Sequence, residues 1–309
     1  MLYINDASCF IPDRFRNIEE VGELLGIHKN HIKVYRKMYG IENIPTALDM
    51  PLHNFIKKPI EQLIKKNKLN KDHIKYLIHC HTAKVISPFL TSIIRNVRED
   101  LCLHNANAFA ISVNNCASTI TSLELMQHVL QKDETSKAII IAGDYAFTHV
   151  LQIIPNTSIL GDASSAILVS RKGEKNKLLS ISTQTEGKYA KGIWLSTLEA
   201  SDFETRYAHL LSSVMLNAIH KAGITQDKIK IIIPHNVNLP SWKRVANYLK
   251  ISLDKIYLKN IKHYSHCFGA DIFINLVSID RENILQAGDY YVMATVGLGA
   301  VFAAAVFQY

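Results

Sequence analysis

The sequence predicts an α/β protein made of two similar halves, each alternating strands with helices that cover the sheet faces. Three observations predict it. Short all-apolar runs such as 138–142, closed by Gly143, have the length of a strand and none of the polar alternation of a half-exposed one, which marks strands buried on both sides. Between such runs lie stretches whose apolar residues recur with a period near 3.6, as in amphipathic helices. The second half of the chain also echoes the first: 227–235 repeats the charge and apolar pattern of 72–80, and 288–306 repeats the two strands around a small-residue turn found over 138–169. Either half alone is too small a core, so a duplicated α/β unit with helices layered on its sheets is expected.

In chain order, residues 2–10 read as a first strand and 18–26 as a short helix stopped by Gly26. The stretch 31–40 is basic and aromatic and shows no clear period. Residues 52–67 form an amphipathic helix with Phe55, Ile56, Ile60, Leu63 and Ile64 on one face and Lys57, Lys58, Lys65 and Lys66 off it. A buried strand over 72–80 enters a polar loop, and a further helix follows Pro88 with Phe89, Leu90, Ile93, Ile94 and Val97 on its apolar side. Next, a short apolar segment passes through the polar corner Asn114-Asn115-Cys116 into a helix with apolar positions 120, 123, 126, 129 and 130. The strand 138–143 and a turn of small residues leading into a strand over 159–169 follow. The polar stretch 171–177 is the best internal boundary and divides the chain into halves 1–172 and 173–309. The second half reads as strand 227–235, helix 240–250, strand 254–258, helix 269–280, and two closing strands around the glycine turn 297–299.

With 309 residues, 48% of them hydrophobic and 20% charged, the chain falls in the soluble globular class. No apolar run approaches the roughly 18 residues that span a bilayer, and the first residues do not read as a leader, so a cytoplasmic location is expected. Five scattered cysteines (9, 80, 102, 116, 267) without a CxxC pair argue for reduced thiols rather than a disulfide framework. The net charge of +8 suits an acidic partner such as a phosphorylated carrier; no basic motif interleaved with aromatics points to nucleic acid, and a lysine-rich solvated surface accounts for most of the charge.

Three polar clusters interrupt the apolar surroundings: Cys116, His235-Asn236-Val237-Asn238, and Tyr264-Ser265-His266-Cys267-Phe268-Gly269. Each borders a predicted strand end, where loops converge on a rigid sheet. At a strand-to-helix turn a thiol feels the positive end of the helix dipole and the unpaired N–H groups of the first turn, which favour thiolate. One imidazole that takes or shares its proton makes a nucleophilic pair, and a second can hold the oxygen of a thioester enolate. The glycine turn 297–299 can offer a backbone N–H to an oxyanion. His79-Cys80-His81, and likewise His263, His266 and Cys267, include metal-ligating types. Neighbours on a strand point to opposite faces, however, and no second pair lies at zinc spacing, so no metal is expected.

These residues carry a resemblance. The elbow Asn115-Cys116-Ala117-Ser118, the segment Gly161-Asp162-Ala163-Ser164-Ser165-Ala166, the motif His235-Asn236-Val237-Asn238-Leu239 and the carboxy-terminal glycine turn with its closing strand resemble, in order and spacing, a condensing enzyme of the β-ketoacyl-carrier-protein synthase III type, nearly end to end. The resemblance implies a thiolase-like fold layered α-β-α-β-α and an acyltransferase that loads an acyl group from CoA or acyl carrier protein onto Cys116 and condenses it with a malonyl-type thioester. It implies His235 as the histidine of the triad, the backbone amides of Cys116 and Leu298 as the oxyanion hole, and Asn238, Gly297 and Gly299 at the substrate. No cofactor beyond these thioesters is implied. A homodimer, or a heterodimer with a related subunit, is. The family has Tyr-Gly-Asn-Thr where this chain reads Tyr264-Ser265-His266-Cys267, so His266 takes the place of the third catalytic residue and the set resembles the Cys-His-His of elongating ketosynthases. The tryptophan that stacks on coenzyme A is absent from 31–40, the arginine after the His-Asn motif is replaced by Pro240, and Leu298 stands for a glycine. Two other functions compete with condensation: transfer of the acyl group to an alcohol or amine without decarboxylation, and a non-catalytic subunit that shapes a partner's pocket. Retention of Cys116 argues against the latter.

Overall fold

The apolar runs build the sheet, and their period-2 alternation divides the core into layers. The computed structural model describes residues 1–47, 49–130 and 135–309. The first half comprises β1 (Leu2–Phe10), β2 (Phe15–Asn17), α1 (Ile18–Leu24), α2 (Lys29–Lys37), β3 (Asn43–Pro45), α3 (Leu52–Lys66), β4 (Ile74–Cys80), α4 (Ile93–Asp100), β5 (Asn107–Ile111), α5 (Ser118–Val129), β6 (Lys137–Asp144), α6 (His149–Gln152), β7 (Ile153–Ile154), β8 (Ser158–Ile159) and β9 (Ala163–Ser170). The second comprises β10 (Lys177–Thr185), α7 (Thr197–Lys221), β11 (Ile229–Pro234), α8 (Leu239–Leu249), α9 (Lys259–Tyr264), α10 (Asp271–Arg281), β12 (Tyr290–Gly297) and β13 (Val301–Gln308).

Nine strands join in the order β11-β12-β13-β10-β1-β9-β6-β4-β5. Read outward from the centre, β1-β9-β6-β4 and β10-β13-β12-β11 are the same arrangement, with β4–β6 and β11–β12 parallel and β6–β9 and β12–β13 antiparallel. The two sets meet at β1–β10 through only two registered pairs, Leu2↔Leu178 and Tyr3↔Lys177. Along β12, Tyr291 and Met293 pack inward with Ile120, Leu123 and Met126 of α5 and Phe273 and Leu276 of α10. Val292, Ala294 and Val296 pack outward with Leu211 and Val214 of α7 and Trp242 of α8. On the other side Ile139 and Ile141 of β6 meet Phe55, Ile60 and Leu63 of α3 and Val97 of α4. The result is α3/α4, sheet, α5/α10, sheet, α7/α8: the layered α-β-α-β-α thiolase-like fold.

Three local expectations are corrected. Residues 31–40 lie largely in α2, whose buried anchors Ile32 and Tyr35 are too few to show a period. The helix expected just after Pro88 begins at Ile93; Phe89 and Leu90 are about nine-tenths exposed (91% and 89%) and lie outside it. The strand expected over 254–258 is a single bridge, Ile232↔Ile256, preceded by a 3-10 turn. The longest helix, α7, begins at the capping box of Ser196 and Glu199 and carries both buried and exposed faces. Among the described residues no helix is long and apolar enough to cross a membrane.

Candidate active site

Cys116 stands in a 3-10 turn, Asn115–Ala117, between β5 and α5. Asn115 takes φ +49°, a left-handed conformation that asparagine tolerates, and its amide donates to the Leu298 carbonyl. The turn 297–299 presses on this corner so closely that a Cβ on Gly297 would lie 1.9 Å from the Asn114 carbonyl oxygen, which explains the glycine. Opposite it, a Cβ on Gly269 would come to 3.3 Å from the Cys116 carbonyl. The nucleophile is therefore gripped between the closing hairpin and the start of α10.

The side chain that reaches Cys116 Sγ is His266, with Nε2 at 3.9 Å; Thr82 Oγ1 is at 3.5 Å. The backbone of His266 is pinned by Gly161, whose N–H donates to its carbonyl (3.0 Å) and where a Cβ would meet Pro45 at 2.7 Å. Asp162 holds the surrounding loops by accepting from Ala47 N (2.8 Å) and Ala146 N (2.9 Å). The preceding Ser265 has φ +58° and ψ −151°, a region that suits glycine, and its hydroxyl donates to the Ile159 carbonyl.

Behind His266 lies Asp271, the first residue of α10. Its Oδ2 is 2.5 Å from His266 Nδ1 and also accepts from Asn236 N (2.6 Å), while Oδ1 accepts from Cys267 N (2.8 Å) and Asn236 Nδ2 (3.2 Å). Burial works against a charge on His266, but the Asp271 carboxylate, with help from Cys116, overcomes it and raises the imidazole from 6.5 to about 10. His235, at the end of β11, is also buried but has no carboxylate. Burial, and repulsion from His266 with ring centroids 5.9 Å apart, lower it to about 3, so it is neutral. Its Nδ1 faces the Ala294 carbonyl at 3.4 Å and its Nε2 the Tyr207 hydroxyl at 2.9 Å. These partners place the single ring proton on Nδ1 and leave Nε2 to accept from Tyr207. Trp242 Nε1 donates to the His235 carbonyl at 2.9 Å and holds the loop.

The other expected site residues are placed as follows. Asn238 caps α8 by accepting from Ser241 N (2.8 Å) and donates to the Thr157 carbonyl (2.9 Å). It borders a cavity of about 510 Å³ that is lined by Thr157, Leu195, Phe203, Tyr207 and Leu298 among others. Gly299, at φ +116°, and Gly297 shape the turn that carries Leu298 to this cavity. One helical turn past Pro240, Arg244 brings a guanidinium to the same cavity, paired with Glu204 at 2.9 Å. His79 and His81 are engaged with the Gly143 (2.9 Å) and Ala83 (2.7 Å) carbonyls.

Sequence reasoning passed over Asp271, Tyr207 and Asp144. Asp144 accepts from Thr82 N (2.9 and 3.0 Å) and Ala83 N (3.2 Å), which aims Thr82 at the thiol, and burial pushes its carboxyl up to about 7. An acidic residue opening the helix just after His266 was a usable signal for Asp271. Tyr207 lies inside a long helix and had none.

Residues 111–187 match the family described as 3-oxoacyl-[acyl-carrier-protein] synthase III, and residues 219–309 match its C-terminal counterpart, together more than half of the chain. The chain belongs to this family of thiolase-fold condensing enzymes. A β-ketoacyl-[acyl-carrier-protein] synthase III from Clostridium novyi is 22% identical over 99% of this chain and 98% of its own. Among solved structures, the 3-oxoacyl-[acyl-carrier-protein] synthase III of Aquifex aeolicus superposes with a TM-score of 0.83 at 18% identity, covering 100% of both chains. ChlB3, described as an acyltransferase, superposes at 0.86 with 17% identity, covering 99% of this chain and 97% of its own.

Proposed function

We propose that the protein takes an acyl group from a CoA or acyl-carrier-protein thioester onto Cys116 and condenses it with a malonyl-type thioester, in fatty-acid or secondary-metabolite biosynthesis. The observation that carries this reading is the line Cys116–His266–Asp271: a thiol 3.9 Å from an imidazole that a carboxylate at 2.5 Å keeps charged. The thiolate attacks the donor carbonyl, the donor C–S bond breaks, and the departing thiolate takes a proton from water, so His266 keeps its own. The malonyl C–C bond then breaks, carbon dioxide leaves, and the electron pair forms an enolate whose oxygen accepts from His266 Nε2–H and a second donor. The enolate carbon attacks the acyl carbonyl, whose oxyanion is held by the amides of Cys116 and Leu298, and the Cys116 thiolate is released beside the imidazolium.

The positive net charge and Arg244 at the cavity suit an acidic carrier or a phosphate-bearing thioester. A second copy, or a related subunit, would cover the outer strand β5 and the exposed Val85, Phe89, Leu90 and Val113 near it in the chain. A second reading is favoured by the opposite protonation of the two histidines: a charged imidazole beside a neutral one is an acid–base pair suited to transfer onto an alcohol or amine.

Intact mass after incubation with acyl-CoA and acyl-carrier panels tests the common step. The acyl mass should appear on the wild type and vanish in Cys116→Ala; its persistence there would overturn the nucleophile. Release of labelled carbon dioxide from malonyl donors supports condensation, and normal acylation with none released leaves the acyltransferase.

A further inference from the structure

Holding an enolate takes two hydrogen-bond donors, and the geometry supplies one histidine N–H rather than two. His235 carries its proton on Nδ1, against the Ala294 carbonyl, and its Nε2 is already an acceptor. Tyr207 lines the cavity, whereas His235, like Cys116 and His266, is not among the described residues that line it. The phenol thus links that cavity to the His235 ring, with its hydroxyl 2.9 Å from Nε2.

We infer that Tyr207 is a catalytic residue of the condensation: its hydroxyl, together with His266 Nε2–H, donates to the thioester oxygen as the enolate forms. This assignment rests on the condensation reading above. In the resting site the O–H points to His235 Nε2. When a malonyl thioester enters, rotation about the phenol C–O bond redirects the hydrogen to the substrate oxygen, and no proton is transferred. As the C–C bond to the carboxylate breaks, the electron pair moves to that oxygen, and both donors keep their hydrogens while they bond to it. The ring is fixed for this task. It packs edge-on against Phe203 and Phe302, with centroids at 5.8 and 6.0 Å, one helical turn and one strand away. Burial, and the nearby thiol of Cys116, keep the phenol protonated far above neutral pH. Phenols serve as such donors where water is excluded, and losing one donor of an oxyanion site typically costs about a hundredfold in rate. His235 becomes a positioning residue: a neutral ring that orients the phenol and, uncharged, leaves His266 the sole positive donor.

The test compares Tyr207→Phe, which keeps the packed ring, with His235→Gln. Cys116 should still take up the acyl group in Tyr207→Phe, by intact mass, while carbon dioxide release from the malonyl thioester falls about a hundredfold in kcat with little change in KM. His235→Gln should lose less than Tyr207→Phe. If Tyr207→Phe decarboxylates as fast as wild type while His235→Gln loses the activity, His235 is the donor and the assignment is overturned. If wild type itself releases no carbon dioxide although Cys116 is acylated, the condensation reading falls and this assignment falls with it, an outcome distinct from the first.

Discussion

Replacing Asp271 with asparagine should disable the nucleophile without touching it. The magnitude follows from the two histidines, which share the same buried pocket: the one with a carboxylate at 2.5 Å titrates at about 10, and the one without, His235, at about 3. Raising His266 from 6.5 to about 10 corresponds to roughly 5 kcal/mol in favour of the charged ring. Without Asp271 the ring moves towards the behaviour of His235 and is largely neutral at pH 7, so the imidazolium that faces Cys116 Sγ is lost. Alkylation of Cys116 by iodoacetamide at pH 7, followed by intact mass, should slow by about a hundredfold or more. The amide also cannot accept on both sides: one of the N–H groups of Asn236 or Cys267 is orphaned, at a cost of about 1–3 kcal/mol in urea unfolding. The pH dependence follows the same pair. Because His266 binds its proton more tightly when folded, the pair's contribution is fully present below pH 6.5 and is lost as the pH rises through about 10. Wild-type stability should fall across that window, and Asp271→Asn should not show the fall. Unchanged alkylation at pH 7 in a folded Asp271→Asn would refute the reasoning.

Two further outcomes test how the site is held. Gly297→Ala places a Cβ 1.9 Å from the backbone oxygen of Asn114, with no flexible side chain to yield, and should cost about 3 kcal/mol or more in chemical denaturation and abolish acylation of Cys116; wild-type stability and loading would show that the hairpin does not grip the corner. Trp242→Ala empties a fully buried site and frees the His235 carbonyl, so a loss of about 3–5 kcal/mol is expected by the same measurement, and a loss under 1 kcal/mol would mean that the pocket refills.

The layers were legible because β6 and β12 are apolar on both faces, and a strand buried between two helix layers has to be. The corner at Cys116 was legible for a similar reason: polar Asn114-Asn115 interrupts apolar sequence just before a periodic helix. What escaped depended on contacts that sequence spacing does not encode. α2 has two buried anchors in nine residues, so its period is hidden. Phe89 and Leu90 look like core residues but face outward, because α4 starts only at Ile93. The resemblance grouped His235 and His266 with Cys116 but did not say which ring meets the thiol; His266 is the one within reach, because the Gly161 contact and Asp271 bring it there. Tyr207, 28 residues before His235, meets it only because α7 packs across β10, β12 and β13 and against α8, which brings its phenol to the residue that follows β11.

The thiol belongs to one copy of the repeated unit and its acid to the other, and the sheet joins the two copies by just two residue pairs. Reactivity is therefore a property of their alignment. Either half alone would hold a thiol with no acid or an acid with no thiol, so the reaction needs both halves together. Any slip between the halves changes the distance from the His266 ring to the Cys116 sulfur, 3.9 Å here, and with it how readily the sulfur reacts.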